Sequence, residues 1–351
     1  MQLSGFAEER TIVEPCKVGV IGVGHLGRCH ARAYAQMPEV RLVGLVDINP
    51  TRAQELAQEL GIAAMTDLDE LLSTVSAVSV AVPTPQHHRI AKRCLERGVH
   101  VLVEKPIATT LEEADDLIAN AQRTGVVLQV GHIERFNPTF RAISKLNLAP
   151  MFIESHRLAP YTPRGADVAV ILDLMIHDID LTLALIKAKV NHVLAVGVAV
   201  VSDSEDIANA RVTFSNGTVA NLTTSRISPR AMRKMRLFQR DAYISADFLN
   251  HSVDIYRLQN QGTGDEKGDH PLGSSAQTAL LSRGQFVVCE RPKLEQEDAL
   301  TMELRAFLYS IRKEEKPLVS GQDGRKALSL ALKIMKCLQE HAHWIQKSGH
   351  P

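Results

Sequence analysis

Residues 16–47 read CKVGVIGVGHLGRCHARAYAQMPEVRLVGLVD, and this stretch decides the fold. An apolar run, CKVGVI, enters a glycine turn, Gly22-Val23-Gly24-His25-Leu26-Gly27, that opens onto a helical pattern. A second apolar run, VRLVGLV, closes on Asp47. GxGxxG alone is common and weak. Placed between a strand and a helix, with an acid ending the next strand, it is the pattern of a dinucleotide-binding βαβ unit. Gly22 permits the tight turn, Gly24 lets a diphosphate approach the backbone, and Gly27 lets the helix sit against the sheet. His25 and Leu26 complete the turn, where free amides and the positive helix end meet the phosphates.

Asp47 is positioned to accept hydrogen bonds from the adenosine ribose hydroxyls. It also repels the extra phosphate of NADP, and Ile48 and Asn49 supply no compensating positive charge, so NAD is the expected cofactor. The plainer alternative is a surface aspartate capping the next helix.

Outward from this unit the alternation continues. NPTRAQELAQELG reads as a helix with Asn49 as cap and Pro50 in its first turn. AVSVAVPT, VHVLVEKP and VVLQVGHIER read as strands, separated by the helical QHHRIAKRCLERG and TTLEEADDLIANAQRTG. Strands apolar throughout, alternating with helices, predict a Rossmann-type doubly wound parallel sheet over residues 15–135. Beyond that the rhythm changes. ILDLMIHDIDLTLALIK reads as a long helix, and closely spaced strand-like runs follow, with a hairpin signal at Asn216-Gly217. Residues 136–351 are therefore expected to form an α/β domain on a largely antiparallel open sheet. The polar, glycine-rich run at 261–284 reads as a mobile loop.

Composition removes whole classes of function. At 351 residues the chain suits two domains, and 40 basic residues against 40 acidic ones leave no global field for nucleic acid. Aromatics at 4% argue against a base-stacking surface. The start, MQLSGFAEERTIVEP, does not read as a secretory signal, and no apolar run is long enough for a membrane span. Five scattered cysteines without a CxxC point to reduced thiols and a cytoplasmic protein.

Candidate chemistry gathers at the carboxyl ends of the predicted strands. Pro83, Thr84 and His87 follow one strand and are candidates for the cofactor's nicotinamide end, with helix capping the alternative for His87. Glu104 and Lys105 follow another. Lys105 can polarise a substrate hydroxyl, and Glu104 can position that ammonium or touch cofactor. Asp173 and His177 are four apart on a predicted helix. His177 can take the hydroxyl proton, because imidazole titrates near neutrality, while Asp173 holds the ring or a neighbouring hydroxyl. Asp180 is a second candidate to orient that ring. Without HExxH or a compact two-His-one-carboxylate set, no metal is expected. Arg135 and Asn137, at the expected domain crossing, are candidate substrate contacts. Arg157, Arg164, Arg226, Arg230 and Arg233 are candidates for binding phosphate.

The ordered set KVGVIGVGHLG, Asp47, VPTPQH, GVHVLVEKP and DLMIHDID resembles the Gfo/Idh/MocA oxidoreductase family over nearly the full chain. The resemblance implies an N-terminal Rossmann domain and a C-terminal open-sheet domain that assembles into homodimers or homotetramers. It also implies a nicotinamide held above a sugar-like alcohol. The family lysine falls on Lys105, and the helix aspartate and histidine on Asp173 and His177. GHIERFNP with DLMIHDID is most similar to the subgroup that oxidises the 3-hydroxyl of UDP-N-acetylglucosamine. That subgroup feeds amino-sugar formation for lipid A, with an aminotransferase using the ketone. An inositol or free-sugar dehydrogenase and a non-catalytic NAD-dependent sensor are the competing expectations.

Overall fold

The computed structural model describes residues 14–162, 168–260, 278–281 and 285–347. The lead-in before residue 14, Arg164, and the expected loop at 261–284 apart from 278–281 lie outside the described residues. The chain divides into two compact units. One comprises residues up to 104, 116–129 and 304–318, and the other 105–115, 130–303 and 319 onward. Both units draw on separated stretches of chain, whereas the sequence reading makes one cut, after residue 135.

The first unit follows the expected alternation: β1 (Cys16–Ile21), α1 (His25–Ala35), β2 (Val40–Val46), α2 (Pro50–Leu60), β3 (Ala63–Ala64), α3 (Leu68–Thr74), β4 (Ala77–Val80), α4 (His87–Glu96), β5 (His100–Glu104), α5 (Leu111–Thr124) and β6 (Leu128–Gly131). Its six-stranded sheet runs β3-β2-β1-β4-β5-β6, with parallel pairing of β1 to β2 and to β4. This is the doubly wound order, whose switch point between β1 and β4 is where such sheets bind ligands. The Val-rich strands β4 and β5 are buried on both sides, which is why they read as continuous apolar runs. Local signals act as their chemistry dictates. Asn49 caps α2 by accepting the Arg52 amide at 3.3 Å, and Pro50 opens the helix. Thr110 and Glu113 form a reciprocal capping box ahead of α5, at 3.2 and 3.3 Å.

The second unit is built on α6 (Pro138–Ser144), β7 (Phe152–Leu158), α7 (Ile176–Leu185), β8 (Val190–Val198), β9 (Ile207–Phe214), β10 (Val219–Ser225), β11 (Met232–Phe238), β12 (Ala242–Asp247), β13 (Ser252–Asn260), β14 (Thr278–Leu281) and β15 (Gln285–Glu290). α8 (Ala299–Lys313) begins in this unit but belongs to the first from residue 304 on, and α9 (Gly321–Lys347) closes the second. Thr278–Leu281 is thus a strand inside the stretch expected as a loop. The nine-stranded sheet runs β14-β15-β13-β12-β11-β7-β10-β9-β8. Its pairs are antiparallel except β7 with β10. Asn216-Gly217 turns β9 into β10 as expected, with Gly217 at φ +86°.

Alternation separates the faces of this sheet. Ala208, Ala210 and Val212 of β9 point inward with Leu222, Met235 and Leu237, packing beneath Ile176 and Ile179 of α7 and Leu330, Ile334 and Leu338 of α9. The opposite face leaves Leu194, Val196 and Val198 about half exposed. Along it Phe152, Phe238, Tyr243 and Tyr256 stack in a row, centroids 5.7, 4.9 and 5.3 Å apart. No helix among the described residues is long and apolar enough to cross a membrane.

Candidate active site

In the first unit, β1 delivers the chain into the glycine turn. Gly22 sits at φ +84°, and a Cβ there would lie 2.8 Å from the Ala81 carbonyl. A Cβ on Gly27 would lie 1.8 Å from the Gly22 carbonyl oxygen, so this glycine closes the helix onto the turn. Gly24 is different: an added Cβ would meet nothing within 4 Å. Its uncovered backbone begins α1, and no side chain caps the free amides there. That bare, positive end fits a diphosphate. His25 and Leu26 are exposed beside it.

Asp47 ends β2 and accepts the Val23 amide at 2.7 Å and the Asn49 amide at 2.8 Å. It therefore clips the second strand to the turn. Capping of α2 falls to Asn49, and each carboxylate oxygen of Asp47 keeps a further lone pair for a ribose hydroxyl. Pro83 is exposed and Thr84 half-buried at the start of a short 3-10 turn. His87 is buried, its Nε2 2.8 Å from the Val82 carbonyl. Glu104 is also buried, 2.9 Å from His30, which continues through Ser79 to Tyr34. The carboxylate expected to attend the lysine ammonium or touch cofactor is thus directed into the layer of β4, β5 and α1.

In the second unit, Lys105 donates to the Asp173 carbonyl at 2.8 Å and lies 3.4 Å from the Asp173 carboxylate. Ile171–Met175 forms one π-helical turn before α7, a feature that recurs at functional sites. Asp173 faces Lys105, and His177 Nδ1, shut off from solvent, has no hydrogen-bond partner among the described residues. The expectation that Asp173 holds the imidazole is corrected accordingly. Burial, then the positive charges of Lys105, Arg157, His132 and Arg233, hold the His177 pKa well below the usual imidazole value. Neutral-range titration of this ring is also corrected. At neutral pH it is an uncharged proton acceptor.

Behind His177 lies a network of ion pairs. Arg157 grips Asp178 with Nε and Nη2 at 2.9 and 3.1 Å and donates Nη1 to Glu134 at 2.8 Å. All three side chains are buried. Asn137 donates to the other Glu134 oxygen at 3.0 Å and caps α6 by accepting the Thr139 amide. Arg135 makes a two-point pair with Asp180 at 2.6 and 3.0 Å and lies over the Phe140 ring. Asp180 therefore does not orient His177. Arg135, Asn137 and Arg157, expected at substrate, have donors engaged within the fold. Glu134 was missed as the hub. Its segment read as strand, but β6 stops at Gly131 and Ile133–Phe136 is a 3-10 turn. No local spacing links Glu134 to an arginine twenty-three positions away.

Residues 16–132 match the model for the Gfo/Idh/MocA oxidoreductase family's NAD-binding Rossmann fold, and 151–244 match that family's C-terminal domain. UDP-N-acetylglucosamine 3-dehydrogenase of Acidithiobacillus ferrooxidans is 42% identical, covering 91% of this chain and 96% of that protein. Its solved structure superposes with a TM-score of 0.83 at 40% identity, covering 93% and 99%. Myo-inositol 2-dehydrogenase of Thermotoga maritima is 26% identical over 92% of this chain and 96% of its own. Scyllo-inositol dehydrogenase of Lactobacillus casei, solved with NAD(H) and scyllo-inositol, shares the fold at a TM-score of 0.74 and 19% identity, covering 93% and 98%.

Proposed function

Since the chain belongs to the Gfo/Idh/MocA oxidoreductase family, we propose that it oxidises the 3-hydroxyl of UDP-N-acetylglucosamine to the 3-keto sugar. The observation that carries the reading is 42% identity to the Acidithiobacillus enzyme over nearly both full lengths. NAD, when bound, accepts hydride from the sugar carbon. The remaining chemistry belongs to this chain's residues. Gly22, Gly24 and Gly27, with His25 and Leu26, cradle the diphosphate, and Asp47 receives the ribose hydroxyls. Pro83, Thr84 and His87 form the wall toward the nicotinamide, and Glu104 fixes the strand end before Lys105.

Lys105, steadied by Asp173, donates to the substrate hydroxyl oxygen and favours its alkoxide character. His177 accepts the hydroxyl proton as hydride leaves, so one alcohol and NAD become one ketone, NADH and a proton. Arg157, Arg135 and Asn137 act as positioning residues through Asp178, Asp180 and Glu134. Residues 15–135 serve the cofactor and 136–351 the substrate and assembly.

The exposed apolar residues of β8 and, beyond two intervening strands on the same sheet face, the aromatic row that starts at Phe152 support a homodimer or homotetramer through that open face. Five free cysteines support a reducing, cytoplasmic setting. A 3-keto sugar is an electrophile that an aminotransferase can use, in keeping with the amino-sugar supply for lipid A that the subgroup resemblance implies. The test is NADH formation over UDP-N-acetylglucosamine, UDP-N-acetylgalactosamine, free sugars and inositols, with capture of the ketone. A 3-ketone from UDP-N-acetylglucosamine is expected; oxidation of inositols alone overturns the reading.

A further inference from the structure

We propose that Arg226, just past β10, is a positioning residue for the reaction, setting the backbone from which Asp173 holds the Lys105 ammonium. The proposal rests on the reading of Lys105 given above and adds a residue to it. Arg226, a phosphate candidate by sequence, is buried instead, with its fork turned into the fold. Its Nη2 donates to the Val168 carbonyl, while Nε lies 3.9 Å from Asp206 Oδ1, too far for a hydrogen bond.

The Val168 end of this contact leads directly to the lysine. The next carbonyl along the chain, that of Ala169, accepts the Leu172 amide at 2.9 Å and the Asp173 amide at 3.0 Å. Those bonds open the π-helical turn Ile171–Met175. Asp173 then presents its carbonyl to Lys105 Nζ at 2.8 Å and its carboxylate at 3.4 Å. The shorter of these contacts is to main chain, so its place is set by the backbone and not by a rotamer of Asp173. Arg226 to Val168, Ala169 to Asp173 and Asp173 to Lys105 thus form one run of contacts.

The other end of the run is anchored. Ser225 pairs with Leu158 of β7 and Ile207 of β9, and its carbonyl accepts the Ala159 amide at 2.8 Å. The Arg226 amide donates to the Asp206 carbonyl at 2.9 Å. A guanidinium carried on so fixed a base fixes what it grips. Charge neutralisation does not account for the arginine. The buried Asp206 carboxylate accepts the Val200 and Val201 amides at 2.7 Å, the Ser202 amide at 3.1 Å and the Ser202 hydroxyl at 2.6 Å. Burial opposes its charge, and the Ser202 hydroxyl and these amides outweigh that, holding the carboxyl below its usual range. Asp206 is served by its own loop, and the Nη2 hydrogen bond goes to Val168.

The experiment compares wild type, Arg226→Met and Arg226→Lys on the sugar that the wild type oxidises. Turnover is expressed per NAD-binding site, so that loss of folded protein is not read as loss of chemistry. Arg226→Met is expected to lower kcat by about 10–100-fold, the cost of a reacting group displaced by about 1 Å, with KM and the NAD Kd within about twofold. Arg226→Lys, which keeps a donor for the Val168 carbonyl, should recover part of the rate. In a Lys105→Ala background Arg226→Met should add little, because the group it positions is gone. An unchanged kcat per site in Arg226→Met overturns the proposal, as does the same fold loss with Lys105 removed. Should Arg226→Met fail to bind NAD, Arg226→Lys decides: a kcat below wild type that depends on Lys105 supports the proposal, and a wild-type kcat overturns it. If Lys105→Ala alone keeps wild-type turnover, the reading of Lys105 fails and this proposal with it. If Lys105→Ala loses turnover and Arg226→Met does not, only the positioning role fails.

Discussion

The glycine turn at residues 22–27 and the charged cluster around Glu134 are built on opposite plans. The turn works through backbone: bare amides at Gly24, a positive φ at Gly22, and a helix brought close by Gly27. The cluster works through side chains, with Arg157 joining acids that lie 21 and 23 positions away. A backbone site tolerates any side chain that leaves the approach open, but fails if a Cβ is placed in the ligand's path. A side-chain network fails when one member is removed, because the partners left behind are buried charges. The two regions should therefore respond differently to single substitutions.

The largest effect is expected at the reacting end. Lys105→Ala should lower kcat by about 10²–10⁴-fold while leaving NAD affinity largely intact. Steady-state kinetics with a cofactor titration would show it, and equal turnover would remove Lys105 from the chemistry. Next, Arg157→Met should cost about 3–5 kcal/mol of stability, because Glu134 and Asp178 stay buried without their cation. Denaturant melts check this, and a near-neutral change would mean that the cluster is not a stabilising network.

Smaller effects belong to the turn. Asp47→Ala should weaken NAD by about 1.5–3 kcal/mol, the worth of hydrogen bonds to a charged acceptor, and narrow the preference over NADP. Gly24→Ala should weaken NAD while leaving the fold intact, since its Cβ meets open space and would stand only in the ligand's approach. The smallest change concerns pH. Because burial depresses the His177 pKa, the ring stays a neutral acceptor as pH falls through the ordinary value of 6.5. The acid limb of kcat should lie below that value and disappear in His177→Asn. A limb at or above 6.5 would contradict the burial of this ring.

The same contrast explains what could be read in advance. The turn, the caps at Asn49 and Thr110, and the Asn216-Gly217 hairpin depend on neighbours within a few residues, so spacing announces them. Lys105 and Asp173 are joined in the sequence only through the family resemblance, and no spacing along the chain announces their contact across 68 positions. The π-helical turn at Ile171–Met175, which holds Asp173, has no periodic signature. The parallel pairing of β7 with β10 inside an otherwise antiparallel sheet is equally silent in the strand pattern. Arg135, Asn137 and Arg157 read from the sequence as candidate substrate and phosphate contacts. Nothing local says that their donors face inward to Asp180, Glu134 and Asp178.

The most direct measurement follows the hydride itself. UDP-N-acetylglucosamine carrying deuterium at C3 is incubated with the enzyme and NAD, and the reduced cofactor is analysed by mass. The expected result is one deuterium in the NADH formed, matched by loss of label from the sugar. Reduced cofactor without deuterium, or no reduction at all, would contradict oxidation at the 3-position.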